Sequence, residues 1–287
     1  MSIPMNRLPV RFAYRCVKPY PLQFHSHNEY EVFYFHRGRC TFIIGGLIHT
    51  LQPGDMILMD GMTLHSSNSD PNNYVRTNMH FDPSYLRSML NDSIFTSAFE
   101  TIGKLRNHII HLEGEAREEV EQHLAKMNKL FQRSDTISYR RFLLALLDML
   151  YDIQLLCLAP DQEQPSMTEK DLHVQRMITY LEAHYTEDLH MEQLENELYL
   201  NKSYLAKLFK EKTGMTIFIY VKKRRMNQAK ILFMMDKSVT VSDVCYEVGY
   251  KHLSHFSRLF KKEFGCTPEQ FHRNVHHATP RKSTLRL

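Results

Sequence analysis

The feature that most constrains this chain is an internal repeat in its last third. Met191, Leu194 and Leu198 match Val241, Val244 and Val248 at an offset of 50. After one inserted residue the offset becomes 51. Tyr204-Leu-Ala-Lys-Leu-Phe209 then matches His255-Phe-Ser-Arg-Leu-Phe260, with Gly214 on Gly265 and Thr216 on Thr267. Each copy predicts a short helix, a tight turn and a longer helix closed by a C-cap glycine. Two helices joined in this way form a helix-turn-helix. In the second copy Thr240 and Asp243 have the spacing of a capping box, and Gly249 serves the turn. Ile217 to Met235 reads as one long helix joining the copies.

The second helix of each copy has two unlike faces. Leu205, Leu208 and Phe209 lie at i, i+3 and i+4, as do Phe256, Leu259 and Phe260, and both sets read as core. The opposite faces carry Ser203, Ala206, Lys207 and Lys210 in copy one, and Ser254, His255, Ser257, Arg258 and Lys261 in copy two. Small or polar residues with a cation in the same phase suit a helix that reads base edges, because arginine bonds guanine bidentately. A solvated charged surface is the competing reading of one copy alone; the matched phase in two copies weighs against it. Charge points the same way. Residues 200–287 hold 18 basic against 6 acidic side chains, residues 168–199 hold 2 against 8, and residues 1–167 hold 16 against 18. A basic module behind a near-neutral body fits a polyanionic partner.

Residues 170 to 274 resemble the DNA-binding module of the arabinose-regulator (AraC/XylS) family of bacterial transcription factors. The stretches ELYLNKSYLAKLFKEKTGMT and VCYEVGYKHLSHFSRLFKKEFGCTPEQF carry the resemblance, including Gly265-Cys-Thr-Pro268. The resemblance implies that both recognition helices enter successive major-groove segments of double-stranded promoter DNA. By position, Ser203, Ala206 and Lys207 would face bases in one segment, and Ser254, His255, Ser257 and Arg258 in the next. Lys210, Lys251 and Lys261 would meet phosphates. Ala206 departs from a polar reader, so the first helix is expected to read sequence less sharply.

Residues 10 to 82 read as β structure. Short apolar runs (YEVFYF, CTFII, LIHTL, MILM) alternate with turn signals at His36-Arg37-Gly38, Gly45-Gly46, Pro53-Gly54-Asp55 and Asp60-Gly61, with a further strand over Tyr74 to Phe81. Gly45-Gly46 fits a two-residue hairpin. Many short strands predict a barrel or sandwich. From about residue 84 the period becomes helical: Val120, Leu124, Met127 and Phe131, then Phe142, Leu146, Met149 and Ile153. The second of these helices is apolar almost all round, which suits a helix buried on several sides or at a homodimer contact. A helix simply packed on its own barrel is the plainer reading. Ala159 to Ser166 contains two prolines and no apolar period. The expected fold is therefore α+β and multidomain: a cupin-like β-barrel with flanking helices over 1–158, a linker over 159–167, and an all-α double helix-turn-helix module over 168–287.

Histidines gather in the β region. His25-Ser-His27-Asn-Glu-Tyr-Glu31 is followed by Gly38, and later by Gly54 and His65. Residues two apart on a strand share a face, so His25, His27 and Glu31 can point into one lumen with His65, and His80 on a neighbouring strand can join them. Three imidazoles and a carboxylate suit a divalent transition metal. The spacing resembles the first cupin motif, and Gly54 to His65 imperfectly resembles the second, with Asp60 and Met62 as departures. Three readings stay open: a metal-free pocket for a small effector, a metal site in a catalytic cupin tethered to DNA, and purely structural histidines. The family resemblance favours the first, without catalysis and without a cofactor, and implies a sugar or sugar derivative as effector, an activator rather than a repressor, and RNA polymerase as a partner. A regulator that works without a ligand, its barrel only dimerising, is the remaining alternative.

The rest of the composition is ordinary. Of 287 residues, 43% are hydrophobic and 24% charged, which excludes a disordered or fibrous chain. Five cysteines with no C-x-x-C argue against a disulfide framework or a cysteine zinc site. No G-x-S-x-G, P-loop or G-x-G-x-x-G occurs. No secretory leader is legible and the most apolar stretch carries Asp148 and Asp152, so a cytoplasmic protein without membrane contact is expected.

Overall fold

A computed structural model describes residues 9–18, 24–90, 107–158 and 167–277. Most of the expected linker, 159–166, lies outside the described residues. Strands β1 (Val10–Cys16), β2 (Tyr30–Ile44), β3 (Leu47–Thr50), β4 (Asp55–Asp60) and β5 (His65–Phe81) come first, then α1 (Pro83–Leu90) and β6 (His108–His111). Helices α2 (Gly114–Phe131) and α3 (Thr136–Leu158) follow. The remainder is helical: α4 (Glu169–His184), α5 (Met191–Leu198), α6 (Lys202–Thr213), α7 (Ile217–Met235), α8 (Val241–Glu247), α9 (Leu253–Phe264) and α10 (Pro268–His277).

The strands form one antiparallel sheet in the order β1-β5-β2-β4-β6, with β3 paired to the far end of β2. Gly45 and Gly46 both take positive φ, at 57° and 79°, and make the β2–β3 hairpin turn. His36-Arg37-Gly38 is not a turn. β2 runs straight through it and pairs with β5 on both sides, with register shifts at Phe35/Arg37 and Gly38/Cys40. The glycine there absorbs a bulge: its φ is +112°, and a Cβ would stand 1.9 Å from the Asn73 carbonyl oxygen. Register shifts thus interrupt the pairing of both long strands, and one face of the sheet carries a core of its own. Phe33, Phe35, Phe42, Ile57 and Met59 are buried on that face as a cluster separate from the one the helices cover.

The other face packs on helices. Val32, Tyr34, Leu58 and Met79 join Val120, Leu124 and Met127 of α2 and Phe142, Leu146, Met149 and Ile153 of α3 in one core. Truncating Phe142, which is fully buried, is expected to cost about 3–5 kcal/mol. Glu121 of α2 bonds three groups of the sheet and its own helix: Tyr34 Oη at 3.0 Å, Arg15 Nη2 at 2.9 Å and Arg117 Nε at 3.2 Å. One side of α3 stays uncovered, with Ile137 73%, Leu144 64% and Leu155 68% exposed. Strand β6 falls inside the stretch that periodicity assigns to helix; four residues are too few to carry a period of their own.

The chain divides into two units, Met1–Leu172 and His173–Leu287. In the second, the repeat takes the expected form. α5 and α6 make the first helix-turn-helix and α8 and α9 the second, and α7 spans Ile217 to Met235 between them. Gly214 and Gly265 close α6 and α9 in the left-handed conformation. The Thr240–Asp243 capping box forms, with Asp243 N–H donating to Thr240 Oγ1 at 3.1 Å. Phe233 of α7 packs with Val244, Val248, Phe256 and Phe260 in the second half. Glu182 of α4 accepts from Tyr220 Oη at 2.6 Å and Arg224 Nε at 2.7 Å, both on α7.

Candidate functional site

Two sites emerge, one in each unit. In the second unit the recognition faces are built as the repeat predicts. Leu205, Leu208 and Phe209 are buried, which turns Ser203, Ala206, Lys207 and Lys210 outward, and all four are exposed. Phe256 and Phe260 are buried on α9, Leu259 is half-buried, and Ser254, His255, Arg258 and Lys261 are exposed beside half-buried Ser257. Among the described residues, Lys207, Lys210, Arg258 and Lys261 have no ion-pair partner. Lys251 differs: its Nζ lies 2.9 Å from Asp188 Oδ2, both side chains being largely exposed. A phosphate has to compete with that carboxylate. Sequence reasoning missed Tyr199, which is 90% exposed in the first turn and takes the left-handed conformation that Gly249 takes in the second.

In the first unit the structure brings His25, His27, Glu31, His65 and His80 together, by a route other than simple strand alternation. Glu31 lies on β2 opposite His80 on β5. His65 opens β5, and His25 reaches it through a two-way backbone bridge, N to O at 3.0 and 3.1 Å. His27 N–H donates to the Gly61 carbonyl at 2.7 Å. Gly61 must be glycine for the ring to lie there, since a Cβ would stand 2.0 Å from His27 Nδ1 and 2.4 Å from the Glu29 carbonyl oxygen.

Glu31 sits at the centre, 2% exposed. Its Oε2 is 3.3 Å from His27 Nε2 and 3.6 Å from His65 Nε2, and its Oε1 is 3.6 Å from His80 Nε2. Burial alone would raise its carboxyl, but the hydrogen bonds of His27 and His65 and the nearby imidazole charge outweigh it and hold it below the usual range. Burial pushes His80 down to about 4, against the opposing pull of Glu31. Asn78 Nδ2 donates to His80 Nε2 at 2.8 Å.

Further along the same face of β5 lie buried Asn78, Arg76 and Tyr74, with the Arg76 guanidinium 5.3 Å from the Tyr74 ring centroid. Ser67 is buried on the same strand. Phe33, Phe35 and Phe42 of β2 are the register partners of Asn78, Arg76 and Ser67 respectively. Sequence reasoning missed Ser67, because Ser66 to Asn73 is polar throughout and shows no alternation, and missed Tyr74, Arg76 and Asn78, because inward and outward polar positions look alike along a strand. Cys16, Cys40, Cys245 and Cys266 are free, and burial pushes the Cys40 thiol up to about 12. Among the described residues no helix is long and apolar enough to cross a membrane.

Comparison with known proteins assigns both units. The AraC-like ligand binding domain matches residues 19–150, and a helix-turn-helix domain matches residues 194–274. The chain belongs to the AraC family. It is a DNA-binding transcription regulator with a ligand-binding domain, as an AraC-family member carrying both. An HTH-type transcriptional regulator in the cgkA 5' region of Pseudoalteromonas carrageenovora is 33% identical over 127 residues, covering 41% of this chain and 75% of the relative. The HTH-type transcriptional activator RhaS of Citrobacter koseri is 23% identical over 247 residues, 85% of each chain. Among solved structures, ToxT of Vibrio cholerae O395 is 16% identical, covering 93% of this chain and 100% of that one, with a TM-score of 0.35.

Proposed function

We infer that this AraC-family chain is a cytoplasmic transcription activator, and that a sugar or sugar derivative in the lumen of its N-terminal unit controls it. It works by binding, without catalysing a reaction. The observation that carries this reading is the pair of outward-facing recognition helices, α6 and α9, which present unpaired cations in one repeat frame. Arg258 reads a base and Lys210 and Lys261 hold phosphates. The RhaS relative is an activator by name, which supports activation and contact with RNA polymerase. Ser67, Asn78 and His80 support a small polar ligand such as a sugar: they are buried polar groups beside buried phenylalanines, and binding sites combine apolar lining with a few placed polar groups.

The homodimer contact is assigned to the open side of α3. Ile137, Leu144 and Tyr151 recur every seven residues there, as do Arg141, Asp148 and Leu155, which is coiled-coil spacing. An antiparallel copy centred near Leu144 sets Arg141 of one chain against Asp148 of the other. Effector binding favours the arrangement that fits the operator, and the difference in affinity for the two arrangements sets the response.

The test is a mobility-shift titration on promoter DNA with and without candidate sugars, beside a thermal-shift screen, since a specific ligand raises the melting temperature by mass action. One sugar that both stabilises the protein and changes DNA affinity is the expected result. A sugar that binds tightly yet changes neither DNA affinity nor transcription contradicts the coupling.

A further inference from the structure

We propose that His25, His27, His65 and Glu31 hold a divalent first-row transition-metal ion in the lumen of the N-terminal unit. This goes beyond the regulator reading and stands apart from it, because metal uptake can fail while DNA binding and sugar control survive.

Three observations carry it. The first is convergence. One donor atom from each of the four residues lies within 4.8 Å of every other. Metal–nitrogen bonds of about 2.1 Å allow two donors a separation of at most about 4.2 Å, so small side-chain shifts close the set.

The second is the orientation of the rings. His65 Nδ1 lies 2.8 Å from the Thr63 carbonyl oxygen and His27 Nδ1 lies 2.9 Å from that of Glu29. A carbonyl only accepts, so both Nδ1 atoms carry the proton. Each ring is thereby turned with Nε2 toward Glu31 Oε2, at 3.3 Å for His27 and 3.6 Å for His65, so two ring nitrogens and a carboxylate oxygen converge on one spot. A ligand imidazole with its other nitrogen donating to a backbone carbonyl is the usual support of a metal site. His65 Nε2 is buried and makes no other hydrogen bond among the described residues.

The third is the steric frame. The Gly61 position leaves no room for a Cβ against His27, so the ring is fixed where the donors meet. A ring set by packing and by its second nitrogen is pre-organised for a metal.

Neighbouring groups are outside the set for stated reasons. His80 Nε2 already accepts from Asn78, and Glu29 is taken up by Arg11. Three imidazoles and one carboxylate select zinc, nickel, cobalt, iron or copper over magnesium or calcium.

The experiment uses the full chain, purified without a histidine tag and stripped with chelator. Cobalt(II) is titrated in while visible absorption is followed, and zinc is then added in competition. One saturable equivalent per chain, displaced by zinc, is the expected result. Glu31→Gln and His65→Ala should each weaken uptake at least about tenfold, the lower end of what even supporting residues produce, and His80→Ala should retain it. Circular dichroism checks folding, and His25→Ala, at a half-buried rim position, provides a variant less exposed to misfolding. The chain has 17 histidines. Uptake that is unchanged in both His25→Ala and His65→Ala places the metal elsewhere and overturns the proposal, as does a wild-type chain that takes up neither ion.

Discussion

The guanidinium of Arg225 donates from Nη1 to the Gly249 carbonyl at 2.9 Å, and so joins the helix between the two reading heads to the turn of the second. Nε and Nη2 of the same side chain donate to the carbonyls of Tyr185 at 2.5 Å and Glu187 at 2.6 Å. The turn lies so close to this segment that a Cβ at position 249 would stand 2.2 Å from the Thr186 carbonyl oxygen. Three carbonyls thus share one cation. Arg225→Ala is expected to destabilise the DNA-binding unit by about 2–3 kcal/mol, the scale of hydrogen bonds to a charged donor. Urea denaturation of the full chain measures this. A loss under 0.5 kcal/mol, the ordinary surface value, would show that the carbonyls find other donors.

Reading and holding separate by mutation. Arg258→Ala should cost on the order of 1–3 kcal/mol of binding and relax preference at one base position. Lys210→Ala should weaken binding to all sequences alike and reduce the salt slope by about one. Competition binding at two salt concentrations distinguishes the two. Unchanged site preference in Arg258→Ala would remove that residue from the reading face.

His111 predicts a pH dependence. Its Nδ1 lies 2.6 Å from Asp55 Oδ1 and its Nε2 lies 3.0 Å from Glu113 Oε1. Burial works to lower it, but these two carboxylates outweigh burial and raise it above its ordinary value. A raised folded-state value means that the charged imidazole stabilises the fold. That contribution is full below the unfolded value of about 6.5 and is lost as pH rises through the folded value. The melting-temperature gap between wild type and His111→Gln should be larger at about pH 6 than at about pH 9. A gap that does not change with pH would leave the pair without electrostatic weight.

Leu144, 64% exposed at the centre of the open face of α3, tests the dimer. Leu144→Glu should give a monomer by analytical ultracentrifugation with the wild-type circular dichroism spectrum, because the side chain is mostly exposed and a charge there keeps its water. A dimer that survives the charge would move the contact off this helix.

Legibility followed the length of the pattern. The repeat in the second unit has two copies, each with its own cap, turn and glycine stop, so local signals agree and the helices form where they are expected. The Gly45-Gly46 hairpin was legible for the same reason. His36-Arg37-Gly38 misled because glycine at positive φ marks a bulge as well as a turn, and only the pairing of β2 with β5 on both sides decides between them. The histidines were found from residue type, but their meeting depends on the bridge between His25 and His65, a long-range contact that no local period records. Arg76 and Asn78 escaped because a polar residue facing a lumen and one facing water look alike along a strand.

The central claim is that two recognition helices read adjacent segments of one DNA face. Selection of bound DNA from a random library with the full-length chain tests it most directly. The account predicts a recovered site with two short elements about one helical turn apart, and loss of preference at one position of one element in Arg258→Ala. Recovery of a single element, or of no preferred sequence with or without sugars, would contradict it.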